Sequence, residues 1–301
     1  MELIKSAKEI IAALDRHQYV ADEEFATILF LLLKLQKPLL LEGPPGVGKT
    51  EMALVLSQLL DTKLIRLQCY EGLDINAAVY EWNYQKQLLG IKLQEDANLT
   101  VEEKEHHIFS NEYLLMRPLL QSIMEEEKAP VLLIDELDRS DEEFEAFLLE
   151  LLSVFQITIP EMGTIKARYK PYVILTSNRT RELSDALRRR CLYLYIDYPD
   201  FEKEWLIVRN KVPGIDAKLA EQITRFMQQL RITNLEKKPG IAETIDWAMA
   251  LSALHIDHLD KNIVEQTLGL VLKDWSDTRE VQLSLSELLE KTGVHSKLDT
   301  L

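Results

Sequence analysis

The sequence predicts an α/β core built on a five-stranded parallel sheet and followed by a small all-helical domain. Three observations carry that expectation. Residues 38–60, PLLLEGPPGVGKTEMALVLSQLL, run from an apolar strand through a Gly/Pro turn into an amphipathic helix. Four further apolar segments, at 64–68, 131–134, 172–176 and 192–196, have the near-continuous hydrophobic character of strands covered on both faces, as in parallel sheets. From Phe201 to about Leu289 the spacing is helical, with breaks at Pro213-Gly214 and Pro239-Gly240 and no convincing strand. The domains expected are 1–36, N-terminal helices packed on the core; 37–199, the α/β domain; and 200–301, the helical domain.

In chain order, helices are predicted over 6–16 and 21–36. After the second strand, Tyr80, Trp82 and Tyr84 alternate, which reads as a strand face packed in a core ahead of the alternative, a grip on a polypeptide in a central pore. The LLGIKL that follows reads as hairpin-like. Residues 95–105 set Glu95, Asp96, Glu102, Glu103 and Glu105 against Lys104, a solvated stretch. Helices are predicted from Leu114 to Glu126 and from Glu142 to Phe155. A hairpin is expected where Gln156–Ile159 and Ile165–Arg168 flank the turn at 161–164.

Hydrophobic content of 47% and charged content of 28% suit a soluble globular chain. The longest apolar stretch, from Phe25 to Leu33 with Thr27 inside it, is too short to span a bilayer. The N-terminus has no export signal, and Cys69 and Cys191 form no CxxC, so a cytoplasmic address is expected. The net charge of −15 argues against broad electrostatic capture of nucleic acid, although Arg188-Arg189-Arg190 is a local basic cluster. Protein partners suit the acidic balance better.

The chemistry starts at Gly43-x-x-x-x-Gly48-Lys49-Thr50, the P-loop pattern. Glycines let the backbone wrap so that N–H groups point inward at a phosphate, and the helix N-terminus adds its dipole. The phosphate-binding segment is Gly43, Pro44, Pro45, Gly46, Val47, Gly48, Lys49, Thr50 and Glu51. Lys49 is assigned to the β- and γ-phosphates, and the Thr50 hydroxyl to Mg²⁺. The strand Val131–Ile134 ends in Asp135-Glu136, with Asp135 placed to hold Mg²⁺ and Glu136 to polarise the attacking water. Asn178, at the exit of the fourth strand, has an amide able to hold that water. The cluster 188–190 offers a guanidinium for transition-state charge on a neighbouring subunit.

GPPGVGKT, LLIDELDR, LTSN and ALRRRC, in this order and spacing, resemble the AAA+ ATPases. EGLDINAAVYEWNYQKQLL and KKPGIAETIDW look like the MoxR group, closest to its CoxD-like members. The resemblance implies that Gly43–Thr50 is Walker A, Asp135 and Glu136 Walker B, and Asn178 sensor 1. It makes Arg190 the arginine finger, since Arg190 precedes the position usually held by Phe and here by Cys191; Arg188 and Arg189 stand as alternatives. No arginine occupies the lid's sensor 2 position near 241–243, so Lys237 or Lys238 substitutes or the γ-phosphate is not sensed from the lid. The same resemblance implies ATP and Mg²⁺ as cofactors and a homo-oligomeric, hexameric ring. It further implies a von Willebrand A-domain partner and a metalloenzyme client, as in carbon monoxide dehydrogenase maturation.

His255 and His258 read as a solvated helix end rather than metal ligands, and His106 and His107 diverge on a helix. Two other function classes stay open on the residues alone. One is a nucleic-acid-linked motor or GTPase, since the P-loop does not read the base; the other is a nucleotide-gated binding scaffold.

Overall fold

The computed structural model describes residues 6–93 and 100–292. Helices α1 (Ala7–Arg16) and α2 (Glu23–Leu35) precede strand β1 (Leu39–Glu42), and α3 (Lys49–Leu59) leads to β2 (Leu64–Gln68). Between β2 and β5 (Val131–Asp135) lie α4 (Ile75–Val79), β3 (Tyr80–Trp82), α5 (Tyr84–Leu93), α6 (Val101–Ile108), β4 (Leu114–Met116) and α7 (Pro118–Ile123). Then come α8 (Glu142–Val154), the hairpin of β6 (Gln156–Ile159) and β7 (Gly163–Lys166), β8 (Tyr172–Ser177), α9 (Asp185–Arg188) and β9 (Leu192–Tyr195). The chain closes with α10 (Phe201–Lys211), α11 (Ala217–Ile232), α12 (Ile241–Ala253), α13 (Lys261–Val271) and α14 (Trp275–Lys291).

By contact, the chain divides into two compact units. The first takes the residues up to Ile10, Glu23–Glu42 and Thr50–Tyr195; the second takes Ile11–Asp22, Gly43–Lys49 and the residues from Ile196 onward. The glycine-rich loop therefore groups with the C-terminal helices, not with the sheet it leaves.

In the first unit five parallel strands lie in the order β2-β5-β8-β1-β9. The inner strands β1 and β5 are buried at every position, as their unbroken apolar runs require. Edge strand β2 alternates instead, burying Ile65 and Leu67 while Arg66 and Gln68 stand exposed on the same face. Register sets Gln68 opposite Asp135 and Leu41 opposite Thr176, so the carboxyl ends of β1, β2, β5 and β8 finish together. Phe144 and Leu148 of α8 bury against the sheet core with Ile134 and Leu175. Trp82 is buried edge-on against Phe109 at 5.2 Å, and Tyr84 is exposed at the start of α5.

Three local expectations are corrected. Tyr84 does not share a packed strand face with Tyr80 and Trp82; it lies beyond β3 and opens α5 in an exposed position. LLGIKL is not a hairpin; it is the second half of α5. Gly90 serves packing there, since a Cβ at that position would lie 2.5 Å from the Tyr113 hydroxyl. The helix expected from Leu114 is preceded by β4, which pairs antiparallel with β3, and begins only at Pro118. The ring sets φ at the first helical position and biases Arg117 toward extended backbone. Glu95 and Asp96 lie outside the described residues, while Glu102, Glu103, Lys104 and Glu105 lie in α6, opened by a capping box between Thr100 and Glu103.

In the second unit, Phe226, Met227, Trp247, Leu251 and Leu285 form an apolar core with no exposed surface. A buried polar network runs through it. The Arg231 guanidinium donates to both Glu204 oxygens at 2.6 and 2.7 Å and, through Nε, to the Pro239 carbonyl at 2.8 Å. The Thr244 hydroxyl donates to Glu204 at 2.7 Å. No helix among the described residues is long and apolar enough to cross a membrane. Removing one partner of a buried ion pair strands the other charge, which costs about 3–5 kcal/mol. Glu204→Ala is therefore expected to lower unfolding free energy by about that amount, read by urea denaturation, whereas exposed Glu221→Ala should shift it by less than about 0.5 kcal/mol.

Candidate active site

The loop between β1 and α3 has φ of +75° at Gly46 and +93° at Gly48, conformations that side chains other than glycine adopt at a cost. Gly43 is required by space, since a Cβ there would lie 2.0 Å from the Ile196 carbonyl oxygen. Lys49 folds back into the loop, its ammonium donating to the Gly43 and Pro44 carbonyls at 2.7 and 2.6 Å. Against this loop lies the start of α12. The Ile241 and Ala242 N–H groups donate to the Gly46 carbonyl at 2.8 and 3.3 Å, and a Cβ on Gly240 would lie 2.8 Å from the Gly46 Cα. Glu243 accepts from the Gly240 N–H at 2.9 Å and borders the same loop. The first turn of α12 thus presents Ile241, Ala242 and Glu243 and no arginine. Lys237 instead faces Asp274, 3.8 Å away.

In the first unit the Asp135 carboxylate, at 3% exposure, collects donors from three elements. Its Oδ1 accepts from the Thr176 hydroxyl at 2.5 Å and the Thr50 hydroxyl at 3.1 Å. Its Oδ2 accepts from Arg66 through Nη2 at 2.6 Å and Nε at 3.1 Å. Glu136 follows in the left-handed region at φ 54°, a conformation costing a non-glycine residue about 1–3 kcal/mol. Its N–H is secured by the Thr176 hydroxyl at 2.9 Å, and its carboxylate accepts from Gln68 and Arg139, each at 3.1 Å. Asn178 comes directly after β8, two residues beyond Thr176, half-buried.

Arg66, Gln68 and Thr176 escape the sequence reading. Strand alternation carried the available signal for the first two, because it sets both on one face of β2 beside β5. Cys69, fully buried beside this cluster, has its thiol pushed up to about 12, by burial first and then by the negative charges of Asp135, Asp138 and Glu136.

The three arginines separate clearly. Arg188 is tied down within its own chain: it donates to Glu42 at 3.1 Å, and Glu42, at 1% exposure, also accepts from the Tyr193 hydroxyl at 2.9 Å. Burial, and then this bond to Glu42, raise the Tyr193 phenol above its ordinary value. Arg189 and Arg190 are exposed, and the Arg190 guanidinium donates to the Ala186 carbonyl of its own turn at 3.2 Å. His255 and His258 lie past the end of α12, His258 bonded to Asp257, and no three His, Cys, Asp or Glu side chains converge as a metal site among the described residues.

The sequence pattern of the AAA domain, dynein-related subfamily, matches residues 38–191, just over half of the chain. The chain belongs to that family. This AAA domain is also similar to an uncharacterised protein of Staphylococcus aureus strain bovine RF122, 29% identical over 258 residues, covering 83% of this chain and 89% of that one. An uncharacterised protein of Staphylococcus haemolyticus is 26% identical over 261 residues, covering 83% and 91%. Among solved structures, a point variant of Thermotoga maritima RuvB aligns with a TM-score of 0.51 at 20% identity, covering 94% of this chain and 84% of that one, a likeness of fold. A second Thermotoga maritima RuvB variant aligns at 0.49 with 18% identity, covering 98% and 85%.

AAA domains bind nucleotide with Mg²⁺, and the residues present fit that ion. A carboxylate and a hydroxyl, Asp135 and Thr50, converge as hard oxygen donors. The absence of space between Gly46 and Gly240 yields a direct expectation. Gly240→Ala should push the phosphate loop out of shape and weaken nucleotide binding by about 1–3 kcal/mol, as overpacking does. Calorimetric titration with ADP checks this, with the far-ultraviolet spectrum unchanged.

Proposed function

We propose that this AAA domain is a Mg²⁺-dependent ATPase that works as a ring, of six copies on the MoxR resemblance, and remodels a protein partner. The observation that carries the proposal is the meeting of Thr50, at the start of the phosphate-loop helix, with Asp135 at the end of β5, and with Glu136 next in the chain. Lys49 sets its ammonium against the β- and γ-phosphates, replacing the loop carbonyls it now holds. Thr50 and Asp135 would hold Mg²⁺, which supplies neutralisation of phosphate charge when bound. Glu136 accepts a proton from the attacking water, and Asn178 orients that water against the γ-phosphate. With Arg188 engaged by Glu42, the finger role falls to Arg190, or to Arg189 beside it, acting on the site of the neighbouring copy.

The segments 71–89 and 237–247 support a MoxR-type role, with a von Willebrand A-domain partner and a client among metalloenzymes. A nucleic-acid motor would need a basic track, and a net charge of −15 weighs against it. A cytoplasmic location agrees with this reading.

Lys49→Ala is expected to abolish nucleotide binding. Glu136→Gln is expected to keep binding while turnover falls by about 10²–10⁴-fold, the span of a lost general base. Arg190→Ala should slow turnover of the assembled ring and leave binding intact. Binding by fluorescence titration and phosphate release together check all three, and a Glu136→Gln protein of full turnover would contradict the assignment.

A further inference from the structure

Asp135 does not wait bare for a metal: it already holds a cation. Arg66 reaches from β2 and grips Oδ2 through two nitrogens, at 2.6 and 3.1 Å, the same carboxylate that meets the Thr50 hydroxyl. Gln68, two residues along the same exposed face, accepts from Arg66 Nη2 at 2.7 Å and fixes the guanidinium in place. Thr50 and Thr176, the other side chains bonded to Asp135, are neutral, so among the described residues the positive charge beside this buried carboxylate comes from Arg66.

We propose that Arg66 is the resident counter-ion of the metal site, a positioning residue that holds the Asp135 carboxylate and is displaced when a divalent cation arrives with nucleotide. This rests on the nucleotide-site reading above. The physical reason is that a carboxylate removed from water must be compensated at all times. A hard dication bound through Oδ2 needs the lone pairs that two N–H groups now occupy. Arg66 is suited to leave. Its strand is at the sheet edge and its side chain is 52% exposed, so the guanidinium can swing into water without opening the core. A consequence is a built-in threshold for the metal. If the guanidinium holds Asp135 about nine-tenths of the time, apparent metal affinity is lowered about tenfold relative to an open site.

The test titrates Mg²⁺ into full-length protein with N-methylanthraniloyl-ADP as the fluorescent probe, for wild type, Arg66→Gln and Arg66→Lys. The half-saturating Mg²⁺ concentration for tight probe binding is expected to fall about tenfold in Arg66→Gln and by a smaller factor in Arg66→Lys, whose single ammonium holds the carboxylate less firmly. Probe affinity in EDTA should stay within about twofold of wild type in both, a readout that general damage to the fold would move. A half-saturating concentration equal to or above that of wild type in either folded variant overturns the proposal. Wild type that binds no probe with or without Mg²⁺ overturns the nucleotide-site reading and this inference with it. Binding that persists with an unchanged metal requirement overturns the inference alone.

Discussion

Taking a carboxylate out of water costs several kcal/mol unless hydrogen bonds and an opposing charge replace the solvent, and at Asp135 this protein meets that demand with donors from three elements. Its donors come from the start of α3, the end of β8 and the face of β2. Each requires a strand or helix to end in one particular register, so the geometry of the site and the order of the sheet are the same constraint. Thr176 shows the economy of the arrangement. Its hydroxyl donates to Asp135 and accepts from the Glu136 N–H, and so steadies Glu136 in its left-handed conformation. That strain is kept because several bonds over-determine it.

The phosphate loop obeys a different rule. Its shape is set by the absence of side chains, at Gly43 against the Ile196 carbonyl and at Gly46 against Gly240, where backbone meets backbone. The buried Arg231–Glu204 pair, bonded also to the Pro239 carbonyl, holds the segment that delivers Gly240. In the second unit, then, a buried ion pair supports the segment from which the α12 amides meet the Gly46 carbonyl, and Ile241, Ala242 and Glu243 fill the first turn of that helix.

Much of this was legible in the sequence. The apolar segments specified five parallel strands, though not which of them lie inside the sheet, and the glycine spacing specified the loop. The failures have local causes. Gly90 in LLGIKL suggested a turn because glycine in sequence does not distinguish a reversal from a close approach, here that of Tyr113. The start of α7 was misjudged because the pre-proline restriction at Arg117 was outweighed by the apolar spacing around it. Arg66 and Gln68 were invisible for another reason: a polar residue on an edge strand reads as solvated until the register sets Gln68 opposite Asp135, with Arg66 two residues earlier on the same face. Arg188 likewise resembled its two neighbours until Glu42, buried before the loop, was seen to claim it.

Mg²⁺ dependence of ADP affinity in Asp135→Asn, set beside wild type, decides whether the Asp135 carboxylate holds the ion. The variant should still bind ADP in EDTA but gain little or nothing when Mg²⁺ is added. An Asp135→Asn protein whose affinity tightens with Mg²⁺ as steeply as that of wild type would contradict that role of the carboxylate.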